Sequence, residues 1–290
     1  LYPSGSRIFL LDQSQTSIIS EPYSFTEKPL AIEGPYVFER MHDNVLTLDR
    51  CSLEIDRKNV LKDAPVWKVR KPLWQKTGIE EFLGCQPWVI EKKNVRTRAN
   101  ETALTFTFQV KDIPETISLA MESADRFTVK INGTKVEPEY GKWHIDKSFN
   151  VMNLDGHIKE GVNTITAETD FLWDTEIENI YLFGDFAVGS EEEGFPVTKE
   201  PERLDTGSWI SQGYPFYSGS MVYKIEFDLP EPELKESETY EIEISGASGS
   251  TFFVTVNETE VGSAPFQPFR ADITGTLVKG TNTIEAEVIS

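Results

Sequence analysis

Residues 161–168 read GVNTITAE and residues 280–287 read GTNTIEAE, two tails that differ at only two positions. A matching apolar strand and turn precede each tail, FTVKINGT over 127–134 and FFVTVNET over 252–259. The tail's glycine and asparagine predict a turn and its cap. The repeat indicates that one β-module occurs twice, which says much about architecture and little about any particular reaction.

Alternation of apolar and polar residues indicates the strands of this module. Apolar residues occupy every second position over 104–110 and again over 223–229. This period is typical of antiparallel strands with one face on a core and one in water. Asn132-Gly133 and Asn257-Glu258 stand where a two-residue hairpin turn needs positive φ. Residues 73–83 are the only helix-like stretch, so the sequence predicts an all-β fold of two tandem antiparallel β-sandwich modules with short peripheral helices.

The register of the repeat predicts where the modules lie. Asn257 follows Asn132 by 125 positions and Gly280 follows Gly161 by 119, so the loop between turn and tail is six residues longer in the first copy. Residues 189–194 are polar and prolines follow, which is typical of a linker. We predict strands over 1–40 that complete a preceding domain, a first sandwich over 41–190, a linker over 191–205 and a second sandwich over 206–290.

The composition limits the classes of molecule that this protein can bind. The 290 residues carry a formal net charge of -20 and 39% hydrophobic residues. No apolar stretch approaches the ~20 residues of a membrane span, so no membrane partner is expected. The acidic excess disfavours nucleic acid, because phosphate contacts need clustered Lys and Arg, and it leaves neutral sugars and cationic molecules as partners. The start at Leu1, without a leader-like segment, favours an excised piece and leaves the compartment open between extracellular and cytoplasmic.

The hairpin and tail motifs resemble those of a known family. An N-G turn, an apolar strand and a G-x-N-T-I tail are similar to the jelly-roll, galactose-binding-like sugar-binding modules of family 2 and related bacterial glycoside hydrolases. Residues 45–49 and 213–219 resemble ancillary regions of these enzymes, and residues 1–10 resemble the β-domain after their catalytic barrel. The resemblance implies a non-catalytic region in cis to a catalytic domain. The sequence lacks the strand–helix alternation of a β/α barrel, so the parent family's catalytic carboxylates are not expected here.

Searches for catalytic or metal-binding motifs assign no residue. The three histidines show no H-E-x-x-H or H-x-H spacing, and no G-x-S-x-G elbow occurs. Three interpretations fit the acidic group over 170–178: it lines a sugar subsite, it binds a structural calcium ion, or it is a solvated loop. The group lacks the regular ligand spacing of a known calcium loop, which favours the solvated loop. Cys51 and Cys85 form a disulfide or remain buried thiols, and their spacing favours thiols. No cofactor is expected.

Aromatic residues are the better binding candidates, because the C–H face of a sugar ring stacks on them while polar neighbours bind its hydroxyls. Trp143 lies in the loop that differs between the copies. A second segment is crowded with rings and has two polar residues nearby: Trp209, Tyr214, Phe216 and Tyr217, with Gln212 and Arg203. The alternative is that these rings close the sandwich ends or pack one domain against another.

Three functions fit these observations. The leading hypothesis is a non-catalytic ancillary β-sandwich region of a glycoside hydrolase that braces the catalytic domain in cis and contacts carbohydrate. One alternative is an autonomous carbohydrate-binding module, and another is a tandem-sandwich surface adhesin or interaction protein. We expect no glycosidase activity from this chain by itself.

Overall fold

The computed structural model describes residues 28–77, 100–172, 175–229, 238–246 and 249–290. Regular structure in these ranges is almost entirely strand, which confirms the predicted all-β class. Within them no helix is long and apolar enough to cross a membrane. The helical elements are α1 (Arg70–Thr77) and short 3-10 turns over Val66–Lys68, Ala124–Arg126, Glu191–Glu193 and Ile210–Gln212. The strands in chain order are β1 (Tyr36–Arg40), β2 (Asn44–Leu48), β3 (Arg50–Ile55), β4 (Lys58–Pro65), β5 (Asn100–Val110), β6 (Ile117–Glu122), β7 (Thr128–Ile131), β8 (Thr134–Val136), β9 (Trp143–His144), β10 (Asp146–Asn153), β11 (Gly161–Phe171), β12 (Ile180–Gly184), β13 (Ala187–Val188), β14 (Val197–Thr198), β15 (Arg203–Leu204), β16 (Ser220–Leu229), β17 (Glu241–Ile244), β18 (Thr251–Val256), β19 (Thr259–Ala264), β20 (Phe269–Asp272) and β21 (Gly280–Ile289).

The described residues divide into two compact units, each built from more than one stretch of chain. The first-copy unit comprises Asp43–Pro201 and Trp209–Tyr217. The second-copy unit comprises the residues up to His42, Glu202–Ser208 and Ser218–Ser290. The segment over 191–205 contains β14, which pairs with β5 of the first-copy unit, and β15, which pairs with β1 of the second-copy unit.

Two sheets enclose the core of the first-copy unit. One has the strand order β13-β14-β5-β11-β7-β8, with the β3–β4 hairpin joined to β5, and the other has the order β2-β12-β6-β10-β9. Every second residue of β5 is buried because it faces this core. Phe106, Ile131 and Ile165 from the first sheet share one apolar cluster with Leu119 and Leu182 from the second. Burial of each such side chain contributes about 1.5–3 kcal/mol.

The second-copy unit repeats this plan with fewer described strands. Its larger sheet has the order β15-β1-β16-β21-β18-β19, and its smaller sheet pairs β17 with β20. Val254, Val256 and Ile284 of the larger sheet share an apolar cluster with Ala271 and Ile273. The predicted pair of antiparallel sandwiches is therefore confirmed at the level of an all-β fold with two sheets in each unit.

The two copies share strand order and register. The run β5-β11-β7-β8 of the first copy corresponds to β16-β21-β18-β19 of the second. In each copy the tail glycine pairs with the last apolar residue of the preceding long strand, Gly161 with Val110 and Gly280 with Leu229. The sequence repeat is thus a repeat of hydrogen-bonded sheet.

Both predicted hairpins are confirmed. The φ angle is 50° at Asn132 and 84° at Gly133, and it is 46° at Asn257 and 65° at Glu258. A side chain in this left-handed region costs free energy that glycine does not incur. The second copy therefore carries a strained glutamate where the first copy has glycine.

A pair of asparagines joins each hairpin to its tail. In the first copy, Nδ2 of Asn132 donates to Oδ1 of Asn163 at 2.8 Å, and Nδ2 of Asn163 donates to the carbonyls of Lys159 and Gly161 at 2.6 and 3.1 Å. The Lys159 N–H also donates to Oδ1 of Asn163 at 3.0 Å, so this buried amide uses its full hydrogen-bonding capacity. The tail asparagine is a clasp between hairpin and tail as well as a turn cap.

The second copy repeats this clasp with Asn257 and Asn282. Nδ2 of Asn257 donates to Oδ1 of Asn282 at 2.8 Å, and Nδ2 of Asn282 donates to the carbonyls of Val278 and Gly280 at 2.8 and 2.9 Å. The Val278 N–H donates to Oδ1 of Asn282 at 2.8 Å. The identical residues of the repeat are therefore explained by the fold.

The helix begins earlier than residues 73–83 suggest. α1 starts at Arg70 and includes Pro72, which is tolerated because the first turn of a helix needs no N–H there. Residues 78–83 lie outside the described residues. Cys51 is buried, and burial raises the pKa of its thiol to about 12. Cys85 lies outside the described residues, so the predicted pair of thiols stays a prediction.

Candidate functional site

The predicted aromatic segment packs on itself in the first-copy unit. Tyr214 is 2% exposed, and its hydroxyl donates to the Glu200 carboxylate at 3.1 Å. Its ring meets the Tyr217 ring edge-on at 6.0 Å, and the Trp209 ring meets Tyr217 at 5.8 Å. Phe216 packs against the core cluster. These contacts are those of the packing alternative, in which the rings close the end of a sandwich.

Glycine at position 213 lets this segment lie close to β13. Its φ is 106°, and a Cβ there would lie 2.8 Å from Cβ of Ala187. The Gly213 carbonyl accepts hydrogen bonds from the Val188 N–H at 2.8 Å and from Nδ2 of Asn44 at 3.0 Å. The same Nδ2 donates to the Phe186 carbonyl at 2.8 Å. One buried asparagine thus holds the segment to its unit.

The two predicted polar partners have different surroundings. Gln212 ends the 3-10 turn of the aromatic segment, where its backbone N–H donates to the Trp209 carbonyl at 3.0 Å. Arg203 belongs to the second-copy unit. It is exposed on β15, its Nη1 donates to the Pro35 carbonyl at 3.2 Å, and it lines a depression of about 570 Å³ together with Tyr36.

Trp143 combines an exposed ring with a cavity. It lies on the edge strand β9, pairs with Asn150 of β10 and is 53% exposed. A depression of about 330 Å³ lies beside it, a volume in the range of small-molecule pockets. The lining is partly polar and partly apolar: Ser118, Glu139, Gly141, Lys142, Val151 and Phe183.

The loop around Trp143 holds apolar groups out in solvent. Ile145 has a φ of 68°, which a β-branched residue rarely adopts, and such strain concentrates at functional sites. Ile145 is 62% exposed, and Tyr140 is fully exposed. The loop also places the His144 ring on Phe183, with centroids 4.1 Å apart and planes within 5°. Burial lowers the pKa of His144, so the imidazole stacks as a neutral ring at pH 7.

More rings lie on the same sheet, on the face that points away from the core. Leu119 and Met121 of β6 are core residues, so period-two alternation places Ser118, Ala120 and Glu122 on the outer face. Their lateral partners are Phe183 and Tyr181 of β12 on one side, and Val151 and Phe149 of β10 on the other. The Phe149 and Tyr181 rings approach to 5.8 Å across β6.

Carboxylates surround the Glu122 end of this face. Burial raises the pKa of Glu122, and the nearby charges of Glu176 and Glu178 act in the same direction. The Arg70 guanidinium contacts the carboxylates of both, that of Glu178 at 3.0 Å. Burial, reinforced by Glu178 and Glu122, also raises the pKa of Tyr181. This end of the face is therefore acidic and rich in hydrogen-bond acceptors.

Among the residues predicted to contact carbohydrate, Trp143 is the one that lies beside this depression, and its role in binding stays a prediction. Among the described residues, no group of acidic, histidine or cysteine side chains is placed to hold a metal ion. Residues 173–174 of the acidic stretch lie outside the described residues. The rings missed by sequence reasoning are His144, Phe149, Tyr181 and Phe183. Tyr181 and Phe183 are two positions apart in β12, which was a usable signal for a shared face, but this spacing could not show that the face points outward.

Comparisons with known proteins support no family assignment. No protein-family model matches the chain, and no curated protein matches it. Among solved structures, it is similar to a rhamnosidase from a Novosphingobium species (15% identity, TM-score 0.27, 81% of this chain and 23% of that chain). It is also similar to an α-L-rhamnosidase from Streptomyces avermitilis complexed with L-rhamnose (10%, 0.28, 91% and 36%) and a β-D-mannosidase from Dictyoglomus thermophilum (12%, 0.31, 84% and 31%). This chain spans about a quarter to a third of those chains, and at such TM-scores the likenesses carry no argument about its function.

Proposed function

We propose that this chain is a non-catalytic ancillary β-sandwich region of a glycoside hydrolase and that it contacts carbohydrate through the surface around Trp143. Two observations support the proposal. The G-x-N-T-I tails resemble sugar-binding modules of such enzymes, and the first-copy unit has an exposed tryptophan beside a depression of about 330 Å³. In this proposal the catalytic domain lies in cis in the parent chain and is braced by this region.

The exposed Trp143 ring is the observation that carries the proposal. A pyranose ring has an apolar C–H face that stacks on an indole and hydroxyls around its rim that need hydrogen-bond partners. Ser118, Glu139 and Lys142 line the depression, and Nζ of Lys142 lies 2.6 Å from a carboxylate oxygen of Glu139. This pair offers adjacent donor and acceptor groups, which suits the neighbouring hydroxyls of one sugar.

The His144 ring lies against Phe183, one of the residues that line the depression. The two rings lie nearly parallel, with centroids 4.1 Å apart, so they form one stacked pair. An exposed tryptophan and the Glu139–Lys142 ion pair in one depression favour a ligand that has both an apolar face and hydroxyl groups. Tyr214 and Tyr217 are buried and lack such exposure, so they are not part of the proposed contact.

Retention on immobilised neutral polysaccharides tests the proposal. We expect the chain to be retarded in gels that contain mannan, xylan or a soluble cellulose derivative, and Trp143→Ala to weaken the affinity about tenfold or more, since one ring contact contributes on the order of 1.4 kcal/mol. Trp67→Ala is the matched control, because Trp67 is a 74% exposed tryptophan of the same unit that does not line the depression. Equal migration of both variants and the parent chain would contradict the proposed contact.

Assays with aryl-glycosides test the non-catalytic part of the proposal. We expect no turnover by the chain alone. Turnover that disappears in Glu122→Gln would contradict it, because burial raises the pKa of Glu122, which is the direction that favours a general acid.

A further inference from the structure

The outer face of the five-stranded sheet carries a second group of aromatic rings, apart from Trp143. Ala120 lies between Tyr181 and Val151 in the sheet, and both Ala120 and Val151 are buried although they point away from the core. The Phe149 and Tyr181 rings meet at 5.8 Å across this strand, with 59° between their planes. Both residues are only half-buried. These two rings form an apolar surface on this face, here called the Phe149–Tyr181 platform.

The platform and the Trp143 depression are neighbouring positions on one strand. Ser118 lines the depression, and Ala120 lies under the platform two residues further along β6. Two residues of a strand span about 7 Å, and the four from Ser118 to Glu122 span about 13 Å. A single sugar ring cannot cover both positions, whereas two linked rings can each occupy one.

The charges of this face indicate the kind of ligand. The carboxylates that interact electrostatically with Glu122 are those of Asp146, Glu176 and Glu178, and the last two contact Arg70. The exposed Lys147 lies nearby in β10, so carboxylates outnumber cationic groups in this part of the sheet. Carboxylates accept hydrogen bonds from sugar hydroxyls, but they repel the carboxylate of a uronic acid. The face is therefore complementary to an uncharged glycan.

We infer that the outer face of this sheet binds an uncharged linear glycan of two or more rings, with one ring beside Trp143 and the next on the Phe149–Tyr181 platform, near Glu122. The inference rests on the proposed carbohydrate contact at Trp143 and extends it to a longer ligand of defined charge. Tyr181 and Phe149 are then the residues that select for chain length, and Glu122 selects against uronic acids.

Titration calorimetry with β-1,4-linked gluco-, manno- and xylo-oligosaccharides of one to six residues tests the inference, with oligogalacturonides as the charged series. We expect the full chain to bind one neutral series with an affinity that rises at least tenfold from the monosaccharide to the tetrasaccharide, and to bind the uronides at least tenfold more weakly. Tyr181→Ala should remove the dependence on length and leave the monosaccharide affinity within threefold.

Two further variants separate loss of the platform from loss of folding. Phe149→Leu keeps an apolar side chain of similar size and should also remove the length dependence. Glu122→Lys should raise the affinity for oligogalacturonides at least tenfold. Each variant is compared with the parent chain by circular dichroism and thermal midpoint, and a misfolded variant is replaced by the other platform variant.

The outcomes distinguish this inference from the proposed function. Affinity that is lost in Trp143→Ala but is independent of glycan length, or unchanged in Tyr181→Ala and Phe149→Leu, overturns the inference and leaves the proposed contact intact. Absence of binding for every oligosaccharide overturns both. Self-association of the chain that disappears in Phe149→Leu, without glycan binding, would identify a second copy as the occupant and also overturn the inference.

Discussion

Replacing Asn163 with alanine tests whether the asparagine clasp stabilises the first copy of the module. The side chain is fully buried and makes four hydrogen bonds, with Asn132, Gly161 and both backbone groups of Lys159. Each such bond contributes about 1 kcal/mol net, and backbone groups that lose their partner without gaining water add a desolvation cost. We expect Asn163→Ala to lower the free energy of unfolding by about 4 kcal/mol.

Urea unfolding followed by tryptophan fluorescence measures this loss. The described tryptophans all belong to the first-copy unit, so their fluorescence reports the unit that carries the substitution: Trp67, Trp74, Trp143 and Trp209. At 2–4 °C for each kcal/mol, the thermal midpoint should fall by roughly 8–16 °C. Circular dichroism follows both units in the same samples.

Two controls make the result decisive. Thr164→Ala changes the next residue of the same strand but keeps its backbone N–H, which donates to Oδ1 of Asn132 at 3.1 Å, and it should cost no more than about 1 kcal/mol. Asn282→Ala removes four hydrogen bonds of the same kind in the second copy and should cost a similar amount to Asn163→Ala. A loss below about 1 kcal/mol for Asn163→Ala would refute the reasoning, because the clasp would then contribute nothing beyond ordinary strand propensity.

Three further predictions concern other features of the fold. Glu258→Gly should raise the free energy of unfolding by about 0.5–1 kcal/mol by relieving the left-handed backbone at φ 65°, and Gly133→Ala should lower it; urea titration of both variants checks the opposite signs. Gly213→Ala should cost more than about 2 kcal/mol, because its Cβ would lie 2.8 Å from that of Ala187, and a double-mutant cycle with Ala187→Gly should recover part of the loss. The raised pKa of Glu122 means that the folded state keeps this proton to higher pH than the unfolded state, so stability falls as pH rises between the two pKa values. Glu122→Gln should remove this fall, which a comparison of urea midpoints at pH 4 and pH 7 measures; an unchanged pH dependence would contradict the assignment.

The strands and turns were predictable because their causes are local. Alternating side chains point to opposite faces of any strand, so the buried positions of β5 follow from the sequence over 104–110. Asn132-Gly133 adopts positive φ for reasons contained in the two residues themselves. The clasp could not be predicted in the same way. An asparagine that only caps a turn and a buried asparagine that joins two strands look the same in the sequence.

The candidate site was predicted only in part. Trp143 stood out because the copies differ in length around it, and the structure shows its ring exposed beside a depression. Tyr214 and Tyr217 looked equally suitable, yet they are buried. The identity of an aromatic residue does not show whether its ring contacts a ligand or closes the end of a sandwich, since both roles require the same large apolar side chain.

By itself, the sequence determined that the protein is built from antiparallel strands, that one module occurs twice, and that its hairpins turn at residues 132–133 and 257–258. These features depend on side-chain alternation and backbone preferences, which act between near neighbours in the chain. Only the tertiary structure decided that Ser118, Ala120 and Glu122 lie beside the rings of β10 and β12 on an outward face. That arrangement depends on which strands pair and in which register, and pairing joins residues as distant in sequence as Ala120 and Tyr181.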